Sequence, residues 1–250
     1  MINVDIILPT HNCEKYIEET INSIIFQTFK NWKLLIVDDA SQDATRDIIK
    51  KYLNDKRINL REIKKNKGAG FCRNLALRCS DSKYVAFIDS DDVWKKNKLE
   101  EQIKLMENKN LDFTYTDIEI FQEINGIKKK KEISIPAEFS YDLFVNNTSI
   151  CTSSMIIKRE KIGLTKFLNT KICEDYFFKC KLLQKSRIAV NVGKYLTLYR
   201  ITKNSLQSNK IRNLYWVWYI NKKYNKMKNI KNFLSIFSIS INSLKKYGFK

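Results

Sequence analysis

From residue 4 to residue 108 the chain alternates short apolar runs with longer amphipathic stretches, and few folds accept that pattern. Residues 4–8, 33–37, 58–63 and 84–88 read as strands, and 14–27, 44–53, 70–79 and 98–108 read as helices. Runs this short between amphipathic helices predict an α/β fold with a mostly parallel sheet covered on both faces. In such sheets the ligand crevice lies beyond the carboxyl ends of the strands. Three polar motifs fall there: Pro9-Thr10-His11-Asn12, Asp38-Asp39, and Asp89-Ser90-Asp91-Asp92.

Beyond residue 110 the strict alternation fades. Residues 112–121 and 127–135 read as two strands around Asn125-Gly126, a hairpin signal. Residues 153–157 predict a further strand, 173–184 a helix opening on Glu174-Asp175, and 188–192 and 196–201 a return to strand. With 250 residues, two prolines and six glycines, the chain predicts one large domain, with or without a C-terminal appendage, and no long flexible linker.

The Asp89–Asp92 run carries three carboxylates at the end of a buried apolar strand. Carboxylates held that close repel one another unless a counter-ion is present. A divalent cation with oxygen ligands relieves the repulsion and keeps positions open for a substrate's phosphates. The alternative is that Asp91-Asp92 caps the helix that follows. Asp38-Asp39 has the same ambiguity, since with Ser41 and Asp43 it also reads as a helix N-cap.

In order along the chain stand Pro9-Thr10-His11-Asn12, Gln27-Thr28-Phe29, Val37-Asp38-Asp39-Ala40-Ser41-Gln42-Asp43, Asn66-Lys67-Gly68, Arg73-Asn74, Asp89-Ser90-Asp91-Asp92 and Glu174-Asp175. This ordered set closely resembles the family 2 glycosyltransferases of bacterial surface-polysaccharide synthesis, inverting enzymes with a GT-A fold that use nucleotide-diphosphate sugars. The resemblance is strong over residues 3–110, moderate over 145–205 and absent beyond about 210. It implies a GT-A catalytic domain over 1–207, with a nucleotide-sugar-binding half at 1–110 and an acceptor-side half at 111–207. A basic aromatic helical tail at 208–250 would follow.

The resemblance also implies roles. Pro9, Thr10, Asn12 and Asp39 would hold the nucleotide, Asp39 by accepting from the base imide N–H, with Arg73 beside the nucleotide or its carboxylate partners. Asp89 and Asp91 match the D-x-D signature; Asp91 would be the metal ligand and Asp89 would touch ribose or metal. Bound Mn²⁺ or Mg²⁺ would offset the charge gathering on the diphosphate leaving group. Asp175 would be the general base that takes the acceptor hydroxyl's proton. Glu174 would orient or contact the acceptor, and Arg200 would contact the diphosphate. Against these stand solvated arginines at 73 and 200, a capping or supporting role for Asp92, and helix N-terminal charge compensation by Glu174-Asp175. Two departures from the family are visible: Ala40 stands where glycine is usual, and the only histidine is His11, so water or phosphate would complete any metal shell.

The implied reaction is transfer of a sugar, from a UDP-sugar, to a hydroxyl of a glycan or lipid-linked acceptor in polysaccharide or lipopolysaccharide synthesis. A sugar nucleotidyltransferase would also place acidic metal ligands at a sheet end, but the chain lacks a Gly-rich N-terminal loop with basic residues for a triphosphate. A non-catalytic nucleotide-sugar or membrane-binding protein retaining the fold is the other alternative. Gly68-Ala69-Gly70-Phe71-Cys72-Arg73 lacks the last glycine of a dinucleotide fingerprint and follows the third strand, which excludes that reading.

Charge divides the chain sharply. Asp175 is the last acidic residue; residues 176–250 hold 17 Lys/Arg and no Asp/Glu, against 29 Lys/Arg and 27 acids before. In 210–250, Ile230, Phe233, Leu234, Phe237, Ile241 and Leu244 recur at helical spacing among lysines, tyrosines and tryptophans. That pattern fits a helix pair packed on the catalytic domain, or peripheral contact with an anionic membrane surface. Nucleic acid is disfavoured because no recognised module accompanies the charge. The six cysteines have no C-x-x-C spacing and are expected to be reduced. Without a signal peptide or an apolar run of spanning length, the expected location is cytoplasmic, on the inner face of the cell membrane if the tail binds there.

Overall fold

The structure, a computed structural model, describes residues 2–124, 127–170, 172–202 and 209–247. Its first half runs β1 (Val4–Thr10), α1 (Ile17–Ile25), β2 (Trp32–Asp38), α2 (Thr45–Lys50), β3 (Ile58–Glu62), α3 (Ala69–Arg78), β4 (Tyr84–Phe87), β5 (Val93–Trp94) and α4 (Lys98–Asn108). The second half runs β6 (Phe113–Ile124), β7 (Ile127–Ile133), β8 (Glu138–Ser140), α5 (Tyr141–Val145), β9 (Ile156–Lys158), α6 (Arg159–Ile162), α7 (Glu174–Ser186), β10 (Ile188–Arg200), α8 (Lys210–Lys223) and α9 (Asn229–Tyr247).

Among the described residues the strands form one ten-stranded sheet in the order β3-β2-β1-β4-β9-β6-β10-β5, with β7 on β6 and β8 on β10. Strands β3, β2, β1 and β4 pair in parallel. The mostly parallel sheet expected from sequence holds for these four and gives way to mixed pairing at β9, which runs antiparallel to both β4 and β6. Every residue of β1 is buried, as a central parallel strand with helices on both faces requires. Its side chains alternate between two cores: Val4, Ile6 and Leu8 pack with α1 and α4, while Ile7 faces the side of α3 and α7.

Three expected elements differ in detail. The strand expected from residue 153 begins at Ile156, because Thr152–Ser154 forms a 3-10 turn whose buried hydroxyls serve the neighbouring loop. The two late strands are one, β10, which stays paired with β6 through register shifts between Asn191 and Thr197. The 124/127 pairing fits the expected hairpin, although Asn125-Gly126 lie outside the described residues. So does the expected boundary at 207/208.

The tail is packed on the domain, but with the opposite face from the one its sequence suggests. Val217, Ile220, Met227 and Ile239 join the core. The face of α9 that turns inward mixes Ile236 and Ile239 with polar residues, and Asn232 and Ser235 are completely buried. Ser235 donates to the Val145 carbonyl at 2.6 Å and Asn242 to the Asn146 carbonyl at 3.0 Å. Those carbonyls end α5, where the helix has no internal donors left for them. Asn221 of α8 donates to Asn232 and accepts from the Tyr176 hydroxyl of α7 at 2.7 Å. The apolar stripe therefore faces away: Ile230, Phe233, Leu234 and Phe237 are all more than half exposed.

Candidate active site

Parallel register brings Thr10 opposite Asp38, so the carboxyl ends of β1 and β2 lie side by side with that of β4 next to them. The Pro9–Asn12 segment ends β1. The Asp39 amide donates to the Thr10 carbonyl at 2.8 Å, and Asn12 locks onto the next loop by donating from its amide to Ser41 Oγ and accepting from the Gln42 amide. Asp38 is buried and accepts from the Ser41 amide and hydroxyl, a loop-closing role. Asp39 accepts the Lys67 and Gly68 amides, both at 2.7 Å, one on each carboxylate oxygen. It thus orders the turn before α3, and each oxygen retains a second lone pair for a ligand N–H. Ala40 holds φ at 60°, the left-handed conformation that glycine would adopt without strain.

Arg73 is the centre of the site. It projects from α3, is buried, and donates to Asp89 Oδ1 at 2.6 Å and Glu174 Oε1 at 2.7 Å. Its solvated-surface reading is thereby corrected. Glu174 and Asp175 open α7, where Glu174 comes so close to α3 that a Cβ on Gly70 would lie 2.5 Å from the Leu168 carbonyl and 3.0 Å from Glu174 Cγ. Burial pushes the Glu174 carboxyl up from its ordinary value despite Arg73.

The D-x-D loop joins β4 to β5. Asp91 is pushed up to about 6, by burial and then by the Asp89 charge. Asp92 is buried and accepts from the Ser153 hydroxyl and, at 3.0 Å, from the Arg200 amide, so it braces the loop from beneath. Arg200 is buried too, which corrects its reading as a surface arginine. Its Nε donates to the Asp91 carbonyl at 2.8 Å, its Nη2 pairs with Glu19, and its guanidinium lies over Tyr16 and Phe121. Arg200 thus supports the loop that carries Asp91.

Asp175 Oδ2 accepts from Thr152 Oγ1 and Lys179 Nζ, both at 2.6 Å. Burial would raise this carboxyl, but the Lys179 ammonium and the Thr152 hydroxyl outweigh it and hold it well below the usual carboxylate range. Lys179, Thr152, Ser153 and Glu19 escape sequence reasoning. Only Lys179 carried a signal, its four-residue spacing from Asp175.

No three carboxylate, thiol or imidazole side chains converge as a ready-made metal shell among the described residues. The six cysteines are free thiols. Asp89 and Asp91 nevertheless present two carboxylates on one loop, and burial first and then the Asp89 charge raise the Asp91 carboxyl. This fits a cation that takes one or two carboxylates and completes its shell with phosphate oxygens and water.

The model of the family described as Glycosyl transferase family 2 matches residues 5–177, a span that includes every element of this site except Lys179, Arg200 and the tail. The chain belongs to glycosyl transferase family 2. It is 34% identical over 244 residues to TuaG, the glycosyltransferase assigned to teichuronic acid biosynthesis in Bacillus subtilis (strain 168), covering 97% of this chain and 96% of TuaG. It is 35% identical to WfgD of Escherichia coli, named as a UDP-Glc:alpha-D-GlcNAc-diphosphoundecaprenol beta-1,3-glucosyltransferase, over 86% of this chain and 83% of WfgD. In solved structures, the S. aureus TarS 1-349 complex with UDP superposes with a TM-score of 0.71 at 20% identity, over 98% of this chain and 72% of that one. The mannosyltransferase PcManGT from Pyrobaculum calidifontis, in complex with GDP-Man and Mn²⁺, gives 0.70 at 17% identity, over 98% and 70%. The family 2 chain described here accordingly has the GT-A fold.

Proposed function

We propose that this glycosyltransferase moves a sugar with inversion from a UDP-sugar to a hydroxyl of a lipid-linked glycan precursor in surface-polysaccharide or lipopolysaccharide synthesis. The observation that carries the reading is Arg73, which ties the strand-end carboxylate Asp89 to Glu174 and so sets the candidate base Asp175 beside the D-x-D loop. Support for a lipid-linked acceptor comes from WfgD, whose name specifies a diphosphoundecaprenol-linked sugar. Support for UDP comes from the same name and from the UDP bound to TarS.

In this mechanism Pro9, Thr10, Asn12 and Asp39 hold the nucleotide. Asp91 with Asp89 would hold Mn²⁺ or Mg²⁺, which supplies positive charge against the leaving diphosphate. Asp175 accepts the acceptor hydroxyl's proton as that oxygen bonds to the anomeric carbon, and the electrons of the breaking glycosidic bond leave with the nucleoside diphosphate. Glu174 contacts the acceptor side, while Arg200 acts through the loop backbone.

The catalytic unit is assigned to residues 1–207 and the tail to 208–250. No helix among the described residues is long and apolar enough to cross a membrane. The outward apolar stripe of α9, set among lysines, supports a cytoplasmic enzyme lying peripherally on the anionic inner leaflet, where each nearby lysine contributes about 1 kcal/mol.

Thermal stabilisation by UDP, GDP, TDP and CDP, each with and without Mn²⁺, tests the donor reading. A ligand at a hundred times its Kd adds about 2.7 kcal/mol. The expected outcome is a shift for UDP that depends on Mn²⁺ and is lost in Asp91→Asn. UDP-sugar turnover on a polyprenyl-diphosphate-linked sugar should then vanish in Asp175→Asn with UDP binding intact. Near-normal turnover in that variant would remove Asp175 as the base.

A further inference from the structure

Lys179 lies on the buried side of α7, among Tyr176, Phe178, Cys180, Leu182 and Leu183, where an apolar residue would pack without penalty. A lysine buried on an apolar helix face is costly unless it is paired. Its ammonium pairs with Asp175, 2.6 Å away and one turn earlier. Thr152 donates to the same oxygen from the 3-10 turn, a separate element. Both donors converge on Oδ2. The carboxylate plane is therefore held from two elements, and the lone pairs of Oδ1 are the ones left for an incoming group.

We propose that Lys179 is a positioning residue for sugar transfer: its ammonium, with the Thr152 hydroxyl, clamps Asp175 Oδ2 so that Oδ1 meets the acceptor hydroxyl. The inference rests on Asp175 being the base. At the step itself the hydroxyl proton passes to Oδ1, the acceptor oxygen bonds to the anomeric carbon, and the bond from that carbon to the diphosphate breaks. The ammonium gives no proton and touches no substrate. Its effect is to hold the base in one rotamer and keep it ionised inside a site that burial would otherwise neutralise. The other charged or titratable groups facing Asp175 are Arg73 from α3 and Glu174 and Cys173 at the start of α7, while Cys151 beside the 3-10 turn faces the Lys179 ammonium. Arg73 is already shared between Asp89 and Glu174, which leaves Lys179 as the dedicated counter-charge.

The test is a carboxyl titration by NMR on protein labelled at aspartate Cγ, with Asp175→Asn identifying the signal, and with UDP affinity measured alongside. In the parent chain Asp175 should stay ionised to the lowest pH at which the fold persists. Lys179→Met should raise its midpoint by about two pH units or more, Lys179→Arg should restore it, and UDP affinity should stay within twofold. Thr152→Val, which keeps the ammonium, should raise the midpoint by a smaller amount and serves if Lys179→Met does not fold. A midpoint unchanged in Lys179→Met, or in Thr152→Val where only that variant folds, would overturn the clamp. Loss of UDP affinity in parallel with the midpoint shift would also overturn it, because the lysine would then be holding the fold of the whole site. If Asp175→Asn still transferred sugar while the titrations behaved as expected, the base assignment would fail and the clamp would stand as a structural ion pair.

Discussion

Arg73 donates to Glu174 across 101 positions of sequence, with Nη1 2.7 Å from Oε1. The contact joins α3, which follows the third parallel strand, to the start of α7, which carries the candidate base. The same guanidinium neutralises Asp89 of the D-x-D loop. Replacing Arg73 by Met leaves two carboxylates facing each other with little solvent to separate them. The expected loss is about 3 kcal/mol in urea unfolding at pH 7.5. Arg73→Lys should recover only part of it, because an ammonium cannot serve two carboxylates with a planar fork. Equal stability of all three chains would show that the bridge is not needed.

Gly70 lies in the same contact and has no room for a side chain. A methyl group there would press on the Leu168 carbonyl, which is backbone and cannot swing aside. Gly70→Ala should cost about 1–3 kcal/mol and push Glu174 away from Arg73. Unfolding curves would give the stability change, and a crystal structure of the variant the displacement.

Lys98 is completely buried, its ammonium nitrogen has no hydrogen-bond partner among the described residues, and it lies 4.0 Å from the centre of the Trp94 ring. Burial lowers its pKa well below the usual lysine value. The folded chain therefore binds fewer protons than the unfolded chain at any pH between the folded value and about 10.4. Stability is greatest above that window and falls as pH drops through it, by at most about 1.4 kcal/mol per pH unit. Lys98→Met should remove this dependence and raise stability at pH 7 by about 2 kcal/mol. Urea unfolding of both chains at pH 6, 7.5 and 9 measures it. Parallel pH profiles would show that the amine stays charged in the core.

On α9, Phe233 and Phe237 are 70% and 58% exposed. Changing both to Glu should alter stability by less than about 0.5 kcal/mol per site, since neither packs on the domain. Sedimentation with phosphatidylglycerol-containing vesicles should nevertheless fall at least tenfold. Unchanged sedimentation would move the membrane contact elsewhere. A shift in oligomeric state on mutation would assign the stripe to a second copy of the chain.

Much of the first 110 residues is legible from sequence because the signal there is local. Short continuous apolar runs and period-3.6 apolar patterns decide strand and helix within a few residues, and α4 has the bounds its pattern predicts. The motifs at the ends of β1, β2 and β4 follow directly, since parallel strands leave their carboxyl ends on one edge. Asp39, Asp89 and Asp91 stand in those motifs.

The partners of the long side chains were not legible. Lys98 and Lys179 have no role in the sequence reading, and Arg73 and Arg200 read either as ligand contacts or as solvated arginines, yet all four are buried. Whether a cation is solvated or buried depends on counter-charges and walls supplied by distant segments, and periodicity carries no record of those. The orientation of α9 shows the same division. Its sequence determined an amphipathic helix with one apolar stripe, which local spacing alone establishes. Only the tertiary structure decided which face turns inward: the open carbonyls at the end of α5 and the Asn221 amide require hydrogen-bonding partners, so the Asn/Ser face is buried and the stripe of Ile230, Phe233, Leu234 and Phe237 is left outside.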